Sequence, residues 1–214
     1  LPLGADGLQA QGFFVQLAER AGGIVLPMLY LGPDTHKREK GRDYYGMDFE
    51  GADGPKPVQL TGSAYWVSEH DFRVILNCIL KQLKRVGFRI VLAHGHGPST
   101  EFFIRHRLTW KNEYGLETFT CQREDETDGP GIQTDHAGAN ETSLVMALRP
   151  ELVRLENLPS DLRVWPLAIK GEDPRTVASA EMGRQAIALN VERLSKILKR
   201  ALSRLKSESV LINK

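Results

Sequence analysis

The sequence predicts an α/β protein with a mainly parallel β-sheet and helices on both faces, arranged as a single-domain three-layer sandwich. Three observations lead there. Segments with helical apolar spacing alternate along the chain with strand-like ones, the rhythm of parallel strands joined by covering helices. Most of the strand-like segments are short, continuous apolar runs, as expected of strands buried on both faces. The length of 214 residues suits one domain.

The elements follow in order. Residues 8–21 carry Leu8, Phe13, Phe14, Leu17 and Ala21 close to a 3.6 period and predict a helix. Residues 24–31 form an apolar run after Gly22 and Gly23 and predict a buried strand. Residues 68–86 predict a helix capped by Ser68, with Asp71 three residues on and an apolar stripe through Phe72, Ile75, Ile79, Leu83 and Val86. Cys78 reads as a small core residue on that helix, and His106 as a surface residue on the next. Residues 89–93 predict the next strand, 100–108 a helix, 116–121 a strand, and 141–148 a helix ending near Pro150. A strand over 163–169 and a long amphipathic helix over 176–206 complete the order. Two polar, glycine-containing stretches, 37–60 and 122–140, are long enough to serve as site loops.

Composition narrows the function. Hydrophobic residues make up 41% and charged residues 26%, which suits a folded core. Twenty-eight Lys and Arg against 27 Asp and Glu leave no field to attract nucleic acid or an anionic membrane, so neither is an expected partner. The longest apolar run, residues 22–32, is about half the length of a membrane-spanning helix. Two cysteines, Cys78 and Cys121, suit reduced thiols and a cytoplasmic location. The chain opens on Leu1, and a truncated N-terminus is expected.

In a fold of this class the ligand site lies beyond the carboxyl ends of the strands. His94-Gly95-His96-Gly97 stands there, after the strand at 89–93, where an imidazole flanked by glycines suits a metal. The same histidines could equally bond nearby carbonyls. Asp135-His136-Ala137-Gly138, followed by Glu141, opens the helix at 141–148. His136 and Glu141 could serve as acid and base or as ligands, with Asn140 and Glu141 also suited to capping that helix. Asp6, just before the first helix, reads by itself as an N-cap.

Taken together, these segments resemble the creatininase (creatinine amidohydrolase) family. LPLGAD at residues 1–6 resembles the close of its Glu-x-His-Gly-x-His-Leu-Pro-x-Gly-Thr-Asp motif. Residues 24–36 resemble its strand ending in a Tyr-Gly-x-x-x-His-like turn, and 60–63 its Pro-Gly-Thr segment. Residues 87–99 resemble the strand ending in Asn-Gly-His-Gly-Gly-Asn, and 135–143 the His-Ala-Gly-Glu-x-Glu-Thr-Ser signature. Residues 171–183 resemble the Gly-Asp-Pro segment before the last helix.

The resemblance implies a metal-dependent hydrolase of a small cyclic or linear amide, with two divalent ions, Zn²⁺ or Mn²⁺, in a homo-oligomer, a hexamer by the family pattern. It implies Asp6 and His96 as metal ligands, His136 as the proton-transfer residue, and Glu141 in the same polar cluster. The chain departs from the pattern in three places. It begins after the family's Glu and His ligands; His94 and Ser99 replace the two Asn of the Asn-Gly-His-Gly-Gly-Asn segment, with Pro98 where some members carry a ligand Glu; and Ala139 stands where a Glu is usual. His94 and Asp135 are the possible substitute ligands. The alternative is a catalytically silent relative that binds a small molecule or serves as an oligomer scaffold.

Overall fold

A computed structural model of the chain describes residues 1–2, 4–49, 57–121 and 129–212, and for 209–212 the backbone alone. Parts of both expected site loops, 50–56 and 122–128, therefore lie outside the described residues.

The first helix, α1 (Ala5–Ala21), begins three residues earlier than its apolar spacing predicts. Gly4, in the left-handed region at φ 78°, takes the N-cap position without a side-chain cap. Asp6 is thus in the first helical turn rather than at the cap, where a carboxylate still suits the helix dipole. Gln9, Phe13 and Leu17, spaced by four, form its buried face.

Residues 24–31 form no strand. Pro27 has no N–H for a ladder, and the run is irregular and at the surface, with Ile24 60% and Tyr30 71% exposed. A single parallel bridge follows it, between Gly32 and Trp66. Next comes an antiparallel hairpin of β1 (His36–Glu39) and β2 (Arg42–Tyr45). Lys40 and Gly41 both take positive φ in its two-residue turn, matching the twist of the strands they join. A short 3-10 turn, Gly46–Phe49, ends the hairpin.

Helix α2 (Glu69–Arg85) starts where expected, with the Ser68 hydroxyl accepting from the Asp71 amide at 3.1 Å. Its buried face is Phe72, Leu76 and Leu80, rotated from the predicted stripe, and Cys78 is exposed rather than in the core. Strands β3 (Ile90–Ala93) and β4 (Glu117–Thr120) pair in parallel, Ile90 opposite Glu117 and Ala93 opposite Thr120. Between them the predicted helix at 100–108 is two helices, α3 (Gly97–Arg105) and α4 (Arg107–Tyr114). His106 marks the break and is half-buried, stacked on Phe102 and Trp110, with Nδ1 at 2.9 Å from the Phe102 carbonyl. It is not the surface residue its polarity suggests.

Helix α5 (Ala139–Leu148) follows. Residues 163–169 form a turn rather than a strand: Pro166 removes a donor, Ala168 lies at φ 61°, and Trp165 Nε1 bonds back to the Ile169 carbonyl. The predicted terminal helix is interrupted at Ala178 and Ser179, giving α6 (Pro174–Val177) and α7 (Ala180–Ile212).

The β3–β4 ladder lies between two apolar clusters. Leu92 packs against one, built by Phe13 and Leu17 of α1, Leu144 of α5, and Ala186, Ile187 and Leu194 of α7. Val91 and Ala93 pack against the other, from Phe72 and Leu80 of α2, Phe102 and Phe103 of α3, and Trp110 of α4. This alternation is the period of two expected of a strand covered on both faces. The fold is α/β, but the described residues hold one two-stranded parallel ladder and one hairpin where a wider parallel sheet was expected. Among the described residues no helix is long and apolar enough to cross a membrane.

Candidate active site

The site is assembled where β3 ends. The chain leaves the ladder at Ala93, passes His94 and Gly95, and enters α3 with His96 at its N-cap position and Pro98 in its first turn. Proline fits there because those amides have no helical partner. From the opposite side comes the N-terminal turn of α1, carrying Asp6. The loop before α5 and its first turn close the third side. Together they line a cavity of about 180 Å³ with Asp6, His94, His96, Gln133, Asp135, His136 and Glu141. All six site residues predicted from sequence meet there.

His96 is the centre of the polar network. Its Nδ1 lies 2.8 Å from Asp6 Oδ2 and its Nε2 lies 2.8 Å from Asp34 Oδ2. Burial alone would lower its pKa, but two carboxylates outweigh that and raise it to about 10. Burial likewise works against the charge on Asp34, and the bond to His96 overrides it, holding the carboxyl below its ordinary value. Asp6 Oδ1 accepts from Gln133 Nε2 at 3.1 Å. His94 is the opposite case. Its ring nitrogens are buried with no hydrogen-bond partner among the described residues, and that desolvation lowers its pKa to about 4. It stands as a neutral imidazole, edge-on to Phe14.

The α5 side holds a second group of acids. Asp135 spends both oxygens on the helix start, Oδ2 accepting from the Asn140 amide at 2.7 Å and Oδ1 from the Glu141 amide at 3.0 Å. Asp135 therefore does the capping that the sequence suggested for Asn140. Asn140 instead accepts from the Thr134 amide and donates to the Gly131 carbonyl. Glu141 is 8% exposed, with Oε2 accepting from the Ala137 amide at 2.8 Å. Burial, and then the charge of Asp6, push its pKa up to about 8. His136 is pinned through its backbone, which exchanges two hydrogen bonds with Lys170.

Two residues of this site went unnoticed in the sequence. Gln133 has no local signature. Asp34 has a faint one, an Asp-Thr pair whose carboxylate accepts from the following amide, but nothing local aims it at His96.

The family pattern implies a pair of divalent ions, and the donors here can be set against it. Asp6 and His96 stand side by side, and the other nitrogen of His96 rests on a carboxylate, the usual support of a metal-binding histidine. The cavity wall adds the one lone pair of the neutral His94 ring and those of Gln133 Oε1. Among the described residues, however, no group of three or more His, Cys, Asp and Glu side chains is placed to hold an ion. The set fits two neighbouring ligands of one ion and does not fit a two-ion centre.

No curated protein matches the chain. Among solved structures, a creatininase variant of zinc–zinc type superposes with a TM-score of 0.63 at 19% identity, covering 93% of this chain and 83% of its own. A creatinine amidohydrolase (creatininase) gives 0.60 at 20% identity, with coverage of 93% and 83%. A creatininase variant complexed with creatine gives 0.61 at 18%, covering 93% and 84%. At these identities the likeness is one of fold. The family model described as creatinine amidohydrolase matches residues 1–198, and the chain belongs to the creatininase family.

Proposed function

We propose that this chain is a creatininase-type hydrolase of a small cyclic or linear amide, acting in the cavity between α1, β3 and α5. The observation that carries the reading is the convergence of Asp6, His96, His136 and Glu141 on one small polar cavity in a chain of this family. Asp6 and His96 would hold a divalent ion, Zn²⁺ or Mn²⁺. The chemistry such an ion supplies when bound is activation of water and polarisation of a carbonyl.

The residues of the chain do the rest. Hydrolysis adds water across the C–N bond, so the departing nitrogen must gain a proton. Glu141 is the carboxyl of the cavity that still holds a proton near neutral pH in the metal-free chain, because burial and Asp6 disfavour its charge. His136 stands beside it on the cavity wall as the second proton-transfer group. The Ala137 amide fixes the carboxyl of Glu141, leaving its other oxygen free to exchange a proton with substrate. A homo-oligomeric, cytoplasmic protein is part of the same proposal.

A second reading is favoured by the lack of a third ligand among the described residues: a silent family member that binds a small molecule or scaffolds an oligomer. Metal content by elemental mass spectrometry, after incubation with Zn²⁺ or Mn²⁺ and removal of excess, is measured alongside an amide screen that includes creatinine. Retained metal with turnover is expected. No metal and no turnover would leave the second reading standing.

A further inference from the structure

We infer that Asp34 is the positioning residue of the site: it takes the Nε2 proton of His96, turning the imidazole so that Nδ1 faces Asp6. The inference rests on the reading of Asp6 and His96 as metal ligands, and it extends to a residue that no motif marks.

The geometry is that of a built support. Asp34 lies between the 24–31 run and β1, and its side chain is 8% exposed. A charge so far out of water persists only if its lone pairs are used. Oδ1 accepts from the Thr35 amide at 2.6 Å, which fixes the carboxylate within its segment. Oδ2 accepts from the Tyr65 hydroxyl at 3.0 Å and meets His96 Nε2 at 2.8 Å. The backbone is held as well, since Trp66 Nε1 donates to the Asp34 carbonyl. Gly46 completes the seat: at φ 52°, it is where a side chain would run into both the Tyr65 hydroxyl and the Asp34 carboxylate. A residue that merely shaped its own segment would need Oδ1 alone. Here Oδ2 is held by a tyrosine 31 residues away and aimed at a histidine 62 residues away.

The consequence is a division of labour on one ring. Both ring nitrogens meet a carboxylate, Nε2 that of Asp34 and Nδ1 that of Asp6; an ion seated beside Asp6 would take the place of the Nδ1 proton, while Asp34 keeps the one on Nε2. Carboxylate support of this kind fixes the tautomer and raises the basicity of a ligating imidazole, and its loss typically costs about 10–100-fold in metal affinity.

The test uses the full chain and zinc alone, with two readouts. The first is the hydrogen-bonded Nε2–H resonance of His96 in the proton NMR spectrum, assigned by its loss in His96→Ala. In Asp34→Asn, of the same size but without the charge, this resonance is expected to move upfield and exchange faster. The second is zinc affinity by competition with a chromophoric chelator, expected to fall about 10–100-fold in Asp34→Asn. A His96 resonance and a zinc affinity both unchanged in Asp34→Asn would overturn the assignment. Should the parent bind no zinc while the resonance still responds, the metal reading fails and the positioning role of Asp34 stands. Should Asp34→Asn not fold, Tyr65→Phe takes its place. It removes a donor from the same oxygen, and a His96 resonance identical to the parent would count against the network.

Discussion

Glu141 is kept protonated by its surroundings, and that has a cost that can be measured without any substrate. Its ordinary carboxyl value is 4.5, and in the fold burial and Asp6 raise it to about 8. A carboxyl whose pKa rises on folding binds its proton more tightly folded than unfolded. The folded protein therefore carries no penalty below about pH 4.5, loses stability as pH rises above that, and carries the full penalty above about pH 8. At pH 7, at about 1.4 kcal/mol per pH unit above the ordinary value, the loss is about 3 kcal/mol. Glu141→Gln keeps an oxygen for the Ala137 amide and cannot ionise. Urea denaturation of the metal-free parent and variant at pH 5 and pH 7 is the assay. The two proteins should be within about 1 kcal/mol at pH 5. At pH 7 the variant should be more stable by about 3 kcal/mol, a midpoint shift of roughly 1–2 M urea. A stability difference that does not change between the two pH values would refute the reasoning, because it would place the effect in packing rather than in charge.

Other consequences follow from the same site and its frame. His136→Ala is expected to abolish amide turnover with an unchanged circular dichroism spectrum; turnover equal to the parent would remove its proton-transfer role. His96 has a folded pKa of about 10 against an ordinary 6.5, so its contribution to stability is complete below pH 6.5 and lost as pH rises through 10. A melting temperature that falls over that window in the parent and stays flat in His96→Ala is the expected pair of curves. Gly183 of α7 lies against the Ser143 carbonyl of α5, and a Cβ there would overlap backbone. Gly183→Ala should therefore destabilise by about 1–3 kcal/mol in thermal or urea unfolding, and a neutral result would show that the two helices can separate freely.

What could be read from the sequence was what local chemistry decides. The Ser68–Asp71 cap is a contact across three residues, and it appears as expected. The Gly-His-Gly turn after 89–93 and the acidic start of α5 both reach the cavity, because a strand end and a helix start fix direction within a few residues. The misreadings share a cause. Apolar content alone suggested strands at 24–31 and 163–169, while Pro27 and Pro166 had already removed donors from any ladder there. The α2 stripe admits two neighbouring faces, and packing against Phe102 and Trp110 selects Phe72, Leu76 and Leu80, leaving Cys78 outside. Asp135 was placed in the right cluster, but its commitment to the Asn140 and Glu141 amides is a matter of backbone direction that residue type does not carry. Asp34 and Gln133 belong to the site only through tertiary placement.

The bonds that join Asp6, Asp34, His96 and Gln133 span 62, 90 and 127 residues of chain. Contacts so distant in sequence are local to no single element, so the cavity exists only when α1, the segment before β1, the start of α3 and the loop before α5 are all in place. The cavity is therefore lost when any one of its contributing segments opens. A ligand seated there would bind only the fully assembled chain, and would join α1, the β1–β2 hairpin region and α3 into one cooperative unit that unfolds together.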